Sequence, residues 1–127
     1  MSTLLSRLAA LAAMLVATSA LALQSTPYSD QALADAQSAG KPVALHFHAE
    51  WCGSCKVQTM VFDTLRKEGK PDMTVLVVDY DKAKDVRSRF GVRAQSTIIV
   101  FKGPKETARL SGEIRENRIR QALESAL

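Results

Sequence analysis

Two apolar runs set the frame for this chain. Met73 to Val78 is almost continuously apolar, and Thr97 to Phe101 reads Thr-Ile-Ile-Val-Phe. Short runs of this kind predict strands covered on both faces. A third strand is predicted over Val43 to His48, where Val43, Leu45 and Phe47 alternate with Ala44, His46 and His48. The segments between them have helical spacing. Ser29 is the expected N-cap of a helix over about 30–39, which Gly40 and Pro42 end. A second helix opens on residues 52–55, carries Val57, Met60, Val61 and Leu65 as its expected core stripe, and stops at Gly69-Lys70-Pro71. Asp81 to Phe90 reads as a polar helix closed by Gly91. Gly103-Pro104 turns the chain into a strand over Glu106 to Leu110, and Ile114, Ile119, Leu123 and Leu127 predict a final amphipathic helix. Helices alternating with parallel strands, followed by a hairpin, predict an α/β fold: a mixed central sheet flanked by helices in three layers. The 127 residues show no repeat and no linker, so one domain is expected.

The N-terminus differs from the rest. Met1 to Arg7 is polar with one positive side chain, Leu8 to Ala22 is nearly all Leu, Ala, Met and Val, and Ala20-Leu21-Ala22 fits the small-x-small rule. Residues 1–22 read as a secretory signal cleaved after Ala22, leaving residues 23–127 as the working domain. The apolar run falls short of the ~20 residues a membrane span requires, and an uncleaved anchor is the alternative. The net charge of +4 comes from scattered basic residues mixed with acids, as in Arg66-Lys67 and Lys82-Ala83-Lys84. That distribution marks a solvated surface and argues against a nucleic-acid partner.

The only two cysteines are Cys52 and Cys55. A bridge between them closes a tiny loop and is a poor staple, because loop-closure stabilisation grows with loop length. An exported domain held by disulfides would spread four or more cysteines along its length. The pair makes more sense as chemistry. Disulfide exchange needs one thiolate to attack sulfur and a second thiol to resolve the mixed disulfide. Where a strand runs into a helix, the first cysteine meets the helix N-terminus, whose N–H groups favour negative charge. Cys52 is therefore the expected nucleophile and Cys55 the resolving thiol. Lys56 adds positive charge nearby and Trp51 a flat apolar cover. A bare C-x-x-C also occurs as half a zinc site, but there is no second one here.

The segment Phe47-His48-Ala49-Glu50-Trp51-Cys52-Gly53-Ser54-Cys55-Lys56 resembles the active-site segment of thioredoxins, whose usual form is Ala-Glu-Trp-Cys-Gly-Pro-Cys-Lys. The resemblance continues through Arg89-Phe90-Gly91-Val92-Arg93 and Thr97-Ile98-Ile99-Val100-Phe101-Lys102, and Gly112 falls where the family carries a glycine facing the active site. It covers residues 30–127 and implies a thioredoxin-like sandwich. Three positions depart from the family pattern. Ser54 stands in place of proline between the cysteines, where the residue tunes thiolate stability and reduction potential. His46 aligns with the family's buried aspartate, and Val77 with the lysine that accompanies it. His46 is a candidate acceptor for the Cys55 proton. Ser96 aligns with the family's cis-proline, which places Gln95, Ser96, Thr97 and Gly112 at the substrate-binding loop. A cis bond before a residue other than proline costs about 2.5–4 kcal/mol, so Gln95–Ser96 is expected to be trans in a reshaped loop.

The resemblance implies a thiol–disulfide oxidoreductase of the bacterial periplasm that exchanges disulfides with cysteine-containing exported proteins. Ser54 leaves both a reductase and an oxidant open, with reduction slightly favoured, and a membrane redox partner would regenerate it. A monomer is expected. No organic cofactor and no resident metal are required, since the dithiol carries both electrons. The competing reading is metal handling. His46 and His48 share one strand face, the family's proline is thought to keep metals off the dithiol, and two imidazoles with two thiolates suit zinc or copper. His46 is expected beneath the helix and His48 at its rim, which counts against one ion reaching all four donors. A binding module with an idle dithiol is the third class, and no residue favours it.

Overall fold

The computed structural model describes residues 22–127. The expected signal segment, save Ala22, lies outside the described residues. The elements are β1 (Gln24–Pro27), α1 (Asp30–Ser38), β2 (Pro42–His48), α2 (Gly53–Glu68), β3 (Thr74–Asp79), α3 (Lys84–Phe90), β4 (Thr97–Lys102), β5 (Lys105–Ser111) and α4 (Glu116–Glu124). The sheet order is β1-β3-β2-β4-β5. β3 pairs in parallel with both β1 and β2, and the β2/β4 and β4/β5 pairs are antiparallel. This is the mixed sheet expected from the sequence.

The period-2 alternation of β2 divides the molecule into layers. Val43, Leu45 and Phe47 pack with Leu76, Val78, Ile99, Leu33 of α1 and Val86 of α3. Ala44 faces the other way, into a core shared with Val75, Ile98, Phe62 of α2 and Ile119 and Leu123 of α4. The three-layer arrangement follows. β2 is central and buried along most of its length, so its C-terminal end delivers His46 and His48 to the underside of α2.

Several boundaries differ from the sequence reading, each for a local reason. β1 carries no apolar alternation: Gln24-Ser25-Thr26-Pro27 is an exposed edge strand, recognisable only by its pairing with β3. Leu23 just before it is buried to 1% exposure. α3 begins at Lys84 rather than Asp81, because the Asp79 carboxylate accepts the N–H groups of Asp81 and Lys82, both at 3.1 Å, and holds a turn there. α4 begins at Glu116 and leaves Ile114 and Leu127 exposed, so its buried stripe is Ile119, Ala122 and Leu123. On α2, Val57 and Met60 are exposed, and the buried stripe is Cys55, Gln58, Val61, Phe62 and Leu65. Val61 and Leu65 are buried as expected, while Gln58 takes a core position that the apolar pattern did not mark.

The expected caps formed. Ser29 Oγ accepts the Ala32 N–H at 3.0 Å at the start of α1. Gly69 and Gly91 close α2 and α3 in the left-handed conformation, at φ 77° and 65°.

Candidate active site

The end of β2 and the start of α2 build the site. After His48 the chain turns through Ala49–Trp51, with the Cys52 N–H donating to the Ala49 carbonyl at 3.0 Å. Cys52 is the extended N-cap of α2, and its Sγ accepts the Cys55 N–H at 3.1 Å. A sulfur here meets the unpaired N–H groups and positive end of the helix, which stabilise a thiolate. Cys52 and Cys55 are joined in a disulfide with Cα atoms 5.3 Å apart. Cys52 is 3% exposed and Cys55 is fully buried. Around the pair, Trp51 is 61% exposed and its Nε1–H donates to Asp81 Oδ2 at 2.8 Å. Gly53 and Lys56 are exposed, Ser54 is half-buried, and a Cβ at Gly53 would meet no atom within 4 Å.

The loop before β4 closes over this end of the sheet. Lys70–Pro71 is the only cis peptide bond among the described residues, so Gln95–Ser96 is trans, as expected. Ser96 instead has φ 54°, the one non-glycine residue in the left-handed region among the described residues. Its N–H donates to the Phe47 carbonyl at 2.9 Å, and its carbonyl accepts the Gly112 N–H at 3.0 Å. Proline can supply neither that donor nor a positive φ, so the serine and the reshaped loop belong together. Gly112 itself sits at φ 68°, a conformation glycine adopts without steric cost. Ser96 and Thr97 are buried and Gln95 is half-buried, and Thr97 Oγ1 donates to the Ala94 carbonyl at 2.7 Å.

His46 lies beneath α2, 1% exposed, with its ring edge-on to Phe62 at 5.1 Å. Burial pushes its pKa down to about 4, so the imidazole is neutral at neutral pH. Gln58 fixes its tautomer. The Gln58 amide nitrogen lies 2.9 Å from each of the Ser96 and Glu113 carbonyls, and both contacts require it to donate. Gln58 Oε1, 2.8 Å from His46 Nε2, is therefore an acceptor, and Nε2 carries the proton. Sequence reasoning missed Gln58. Its signal was present: a polar residue three positions after Cys55, on a face that must be buried. His48 is at the rim as expected, with Nε2 3.2 Å from Glu50 Oε1. As the shared strand face implies, the structure brings the two histidines together with one of the two sulfurs. One ring nitrogen each from His46 and His48, and Cys55 Sγ, all lie within 4.8 Å of one another.

The family model for thioredoxin matches residues 22–125. The chain belongs to the thioredoxin family. The thioredoxin of Mycoplasmoides gallisepticum is 33% identical over 86 residues, covering 68% of this chain and 85% of that protein. The chloroplastic M-type thioredoxin of Chlamydomonas reinhardtii is 34% identical over a stretch covering 68% of this chain and 61% of its own length. Among solved structures, the Trxlp protein of Edwardsiella tarda superposes with a TM-score of 0.71 at 33% identity, covering 80% of this chain and 97% of that one. A mutant thioredoxin from Halobacterium salinarum gives 0.69 at 26% identity over 83% of this chain and 90% of that chain. This thioredoxin-family protein is thus a thiol–disulfide oxidoreductase acting on cysteine-containing protein substrates through Cys52 and Cys55.

Proposed function

We propose that this thioredoxin-family protein works outside the cytoplasm, in the bacterial periplasm. It loses residues 1–22 on export and exchanges disulfides with exported proteins as a monomer, with reduction the favoured direction. The observation that carries the exchange chemistry is the placement of Cys52 Sγ on the α2 N-terminus, accepting the Cys55 N–H. In the reducing direction, the Cys52 thiolate attacks a substrate disulfide and displaces one substrate thiolate. The Cys55 sulfur then attacks Cys52 Sγ, forming the Cys52–Cys55 bond and releasing the second substrate thiolate. Two electrons pass to the substrate, and no organic cofactor takes part. A dithiol on a membrane partner returns the protein to its reduced state. His46 enters through its unprotonated Nδ1, the one ring atom at which it can take the Cys55 proton. His46→Ala with an unchanged pH–rate profile removes it from the mechanism. Gln95, Ser96, Thr97 and Gly112 form the loop against which a substrate strand docks, and Ser54 tunes the potential.

The test is a trapping pair in the intact organism. Cys55→Ser should accumulate mixed disulfides with exported proteins through Cys52, and Cys52→Ser should accumulate none. Recovery of a chain beginning at Leu23 supports export. Trapped partners that are all cytoplasmic would overturn the location while leaving the chemistry in place.

A further inference from the structure

The two histidines share a pattern that proton transfer at His46 alone does not explain. Nε2 of His46 is directed at the Gln58 amide oxygen and Nε2 of His48 at the Glu50 carboxylate, at 2.8 and 3.2 Å. Imidazoles that ligate a metal usually donate their other ring N–H to just such an amide or carboxylate oxygen, which fixes ring orientation. Nδ1 is left on both rings. His48 Nδ1 is buried with no hydrogen-bond partner among the described residues, a costly state for a polar atom unless something else occupies its lone pair. Both rings lie on the α2 face of β2, and Cys55 Sγ completes a group of three donors within 4.8 Å.

We propose that reduction of the Cys52–Cys55 disulfide opens a zinc site built from His46, His48 and Cys55 and completed by Cys52, and that re-oxidation expels the ion. This rests on the reading that the disulfide cycles open. In the disulfide neither sulfur is a thiolate, so the site is closed to metal. A dithiol reductant supplies two electrons and converts the bridge to two thiols while itself becoming a disulfide. Zn(II) then binds as both thiols release their protons. Transfer of the disulfide from a substrate reverses the step, and zinc leaves as the sulfurs bond to each other.

Charge and geometry favour this ion. Two thiolates and two neutral imidazoles around Zn(II) make an uncharged centre, which a site with Cys55, His46 and Cys52 at 0%, 1% and 3% exposure can hold without an unpaired buried charge. Cu(I) with the same four ligands leaves a buried negative charge. Zn–N and Zn–S bonds of about 2.0–2.3 Å put tetrahedral ligands about 3.3–3.8 Å apart, so a triad already within 4.8 Å has little distance to close. His48 also lines an open cleft of about 510 Å³ whose walls include Glu50, Asp79 and Asp81. That cleft gives a cation an entry path lined with carboxylates.

The test uses untagged protein, fully reduced without air, beside the same protein oxidised. Reduced protein should bind one equivalent of Zn(II), and Co(II) in its place should show the visible bands of a tetrahedral site with thiolate charge transfer. The oxidised protein should bind none. His48→Ala should weaken zinc binding by about tenfold or more and alter the Co(II) spectrum, and Glu50→Gln should weaken it less. Equal binding by both redox forms would place the metal on the cleft carboxylates and overturn the proposal. So would a Co(II) spectrum that His48→Ala leaves unchanged, or binding of Cu(I) without Zn(II). Metal-free exchange with a model protein disulfide is measured on the same samples. Exchange without zinc binding defeats this proposal alone, and absence of exchange defeats the redox reading beneath it.

Discussion

Gln58→Leu tests the polar centre of the site most directly. Gln58 is fully buried and joins three elements: the β2 imidazole at His46, the loop carbonyl of Ser96 and the carbonyl of Glu113 ahead of α4. Leucine is of similar size and makes none of these bonds. The His46 Nε2–H is then a buried donor without a partner, which costs about 1–3 kcal/mol. The Ser96 carbonyl keeps its bond from the Gly112 N–H, and the Glu113 carbonyl is near enough to solvent to find water, so each adds about 0.5–1 kcal/mol. Added apolar burial offsets about 1 kcal/mol of this, leaving a loss of about 1–4 kcal/mol. The urea midpoint of the oxidised protein should fall by about 1–3 M at unchanged slope. Gln58→Glu should be worse, because a buried carboxylate keeps the bond from His46 but sets oxygen against two carbonyls. A loss below about 1 kcal/mol for leucine, or glutamate tolerated better than leucine, would refute the assigned amide orientation and the tautomer derived from it.

Three further outcomes are expected. Leu23→Ala should destabilise the protein by about 2–4 kcal/mol in chemical unfolding, because that side chain is 1% exposed in the core beside α2 and α4; a neutral result would mean that β1 is not anchored. Ser96→Pro should cost at least about 2 kcal/mol, since proline can neither keep the left-handed φ nor donate to Phe47, and an equally stable variant would show that the loop does not need that conformation. Tyr28 has its pKa raised to about 12, first by burial and then by its hydrogen bond to Asp30. Unfolded tyrosine ionises near its ordinary value of 10 while folded Tyr28 stays protonated, so its contribution is full below pH 10 and is lost as pH rises toward 12. An absorbance titration should show a late tyrosinate step that Tyr28→Phe removes, and its survival in that variant would contradict the assignment.

What was legible in the sequence follows from how each residue is held. β3 and β4 could be read because strands covered on both faces must be apolar throughout. Cys52 and Cys55 could be read because a thiol pair at a strand-to-helix junction has few structural uses. β1 could not, since an exposed edge strand bonds through its backbone and leaves its side chains free to be polar. Gln58 was missed for the opposite reason: a buried polar residue is justified only by partners distant in sequence, here 12, 38 and 55 residues away. The proximity of His46, His48 and Cys55 also needed three dimensions. Their shared face was evident from the i, i+2 spacing, but the depth of α2 over the strand was not.

The two sulfurs end in unlike surroundings, a difference that suits the unlike roles proposed for them. Cys52 Sγ receives a helix N–H and the positive end of α2. Cys55 Sγ lies 3.8 Å from the Phe47 carbonyl oxygen and near an uncharged imidazole, neither of which stabilises a thiolate. A thiolate at Cys52 would find the helix N–H groups to stabilise it, and an S–H at Cys55 would find the Phe47 carbonyl to accept it. The same carbonyl accepts the Ser96 N–H. Cys55 Sγ and the Ser96 N–H therefore face one and the same carbonyl oxygen.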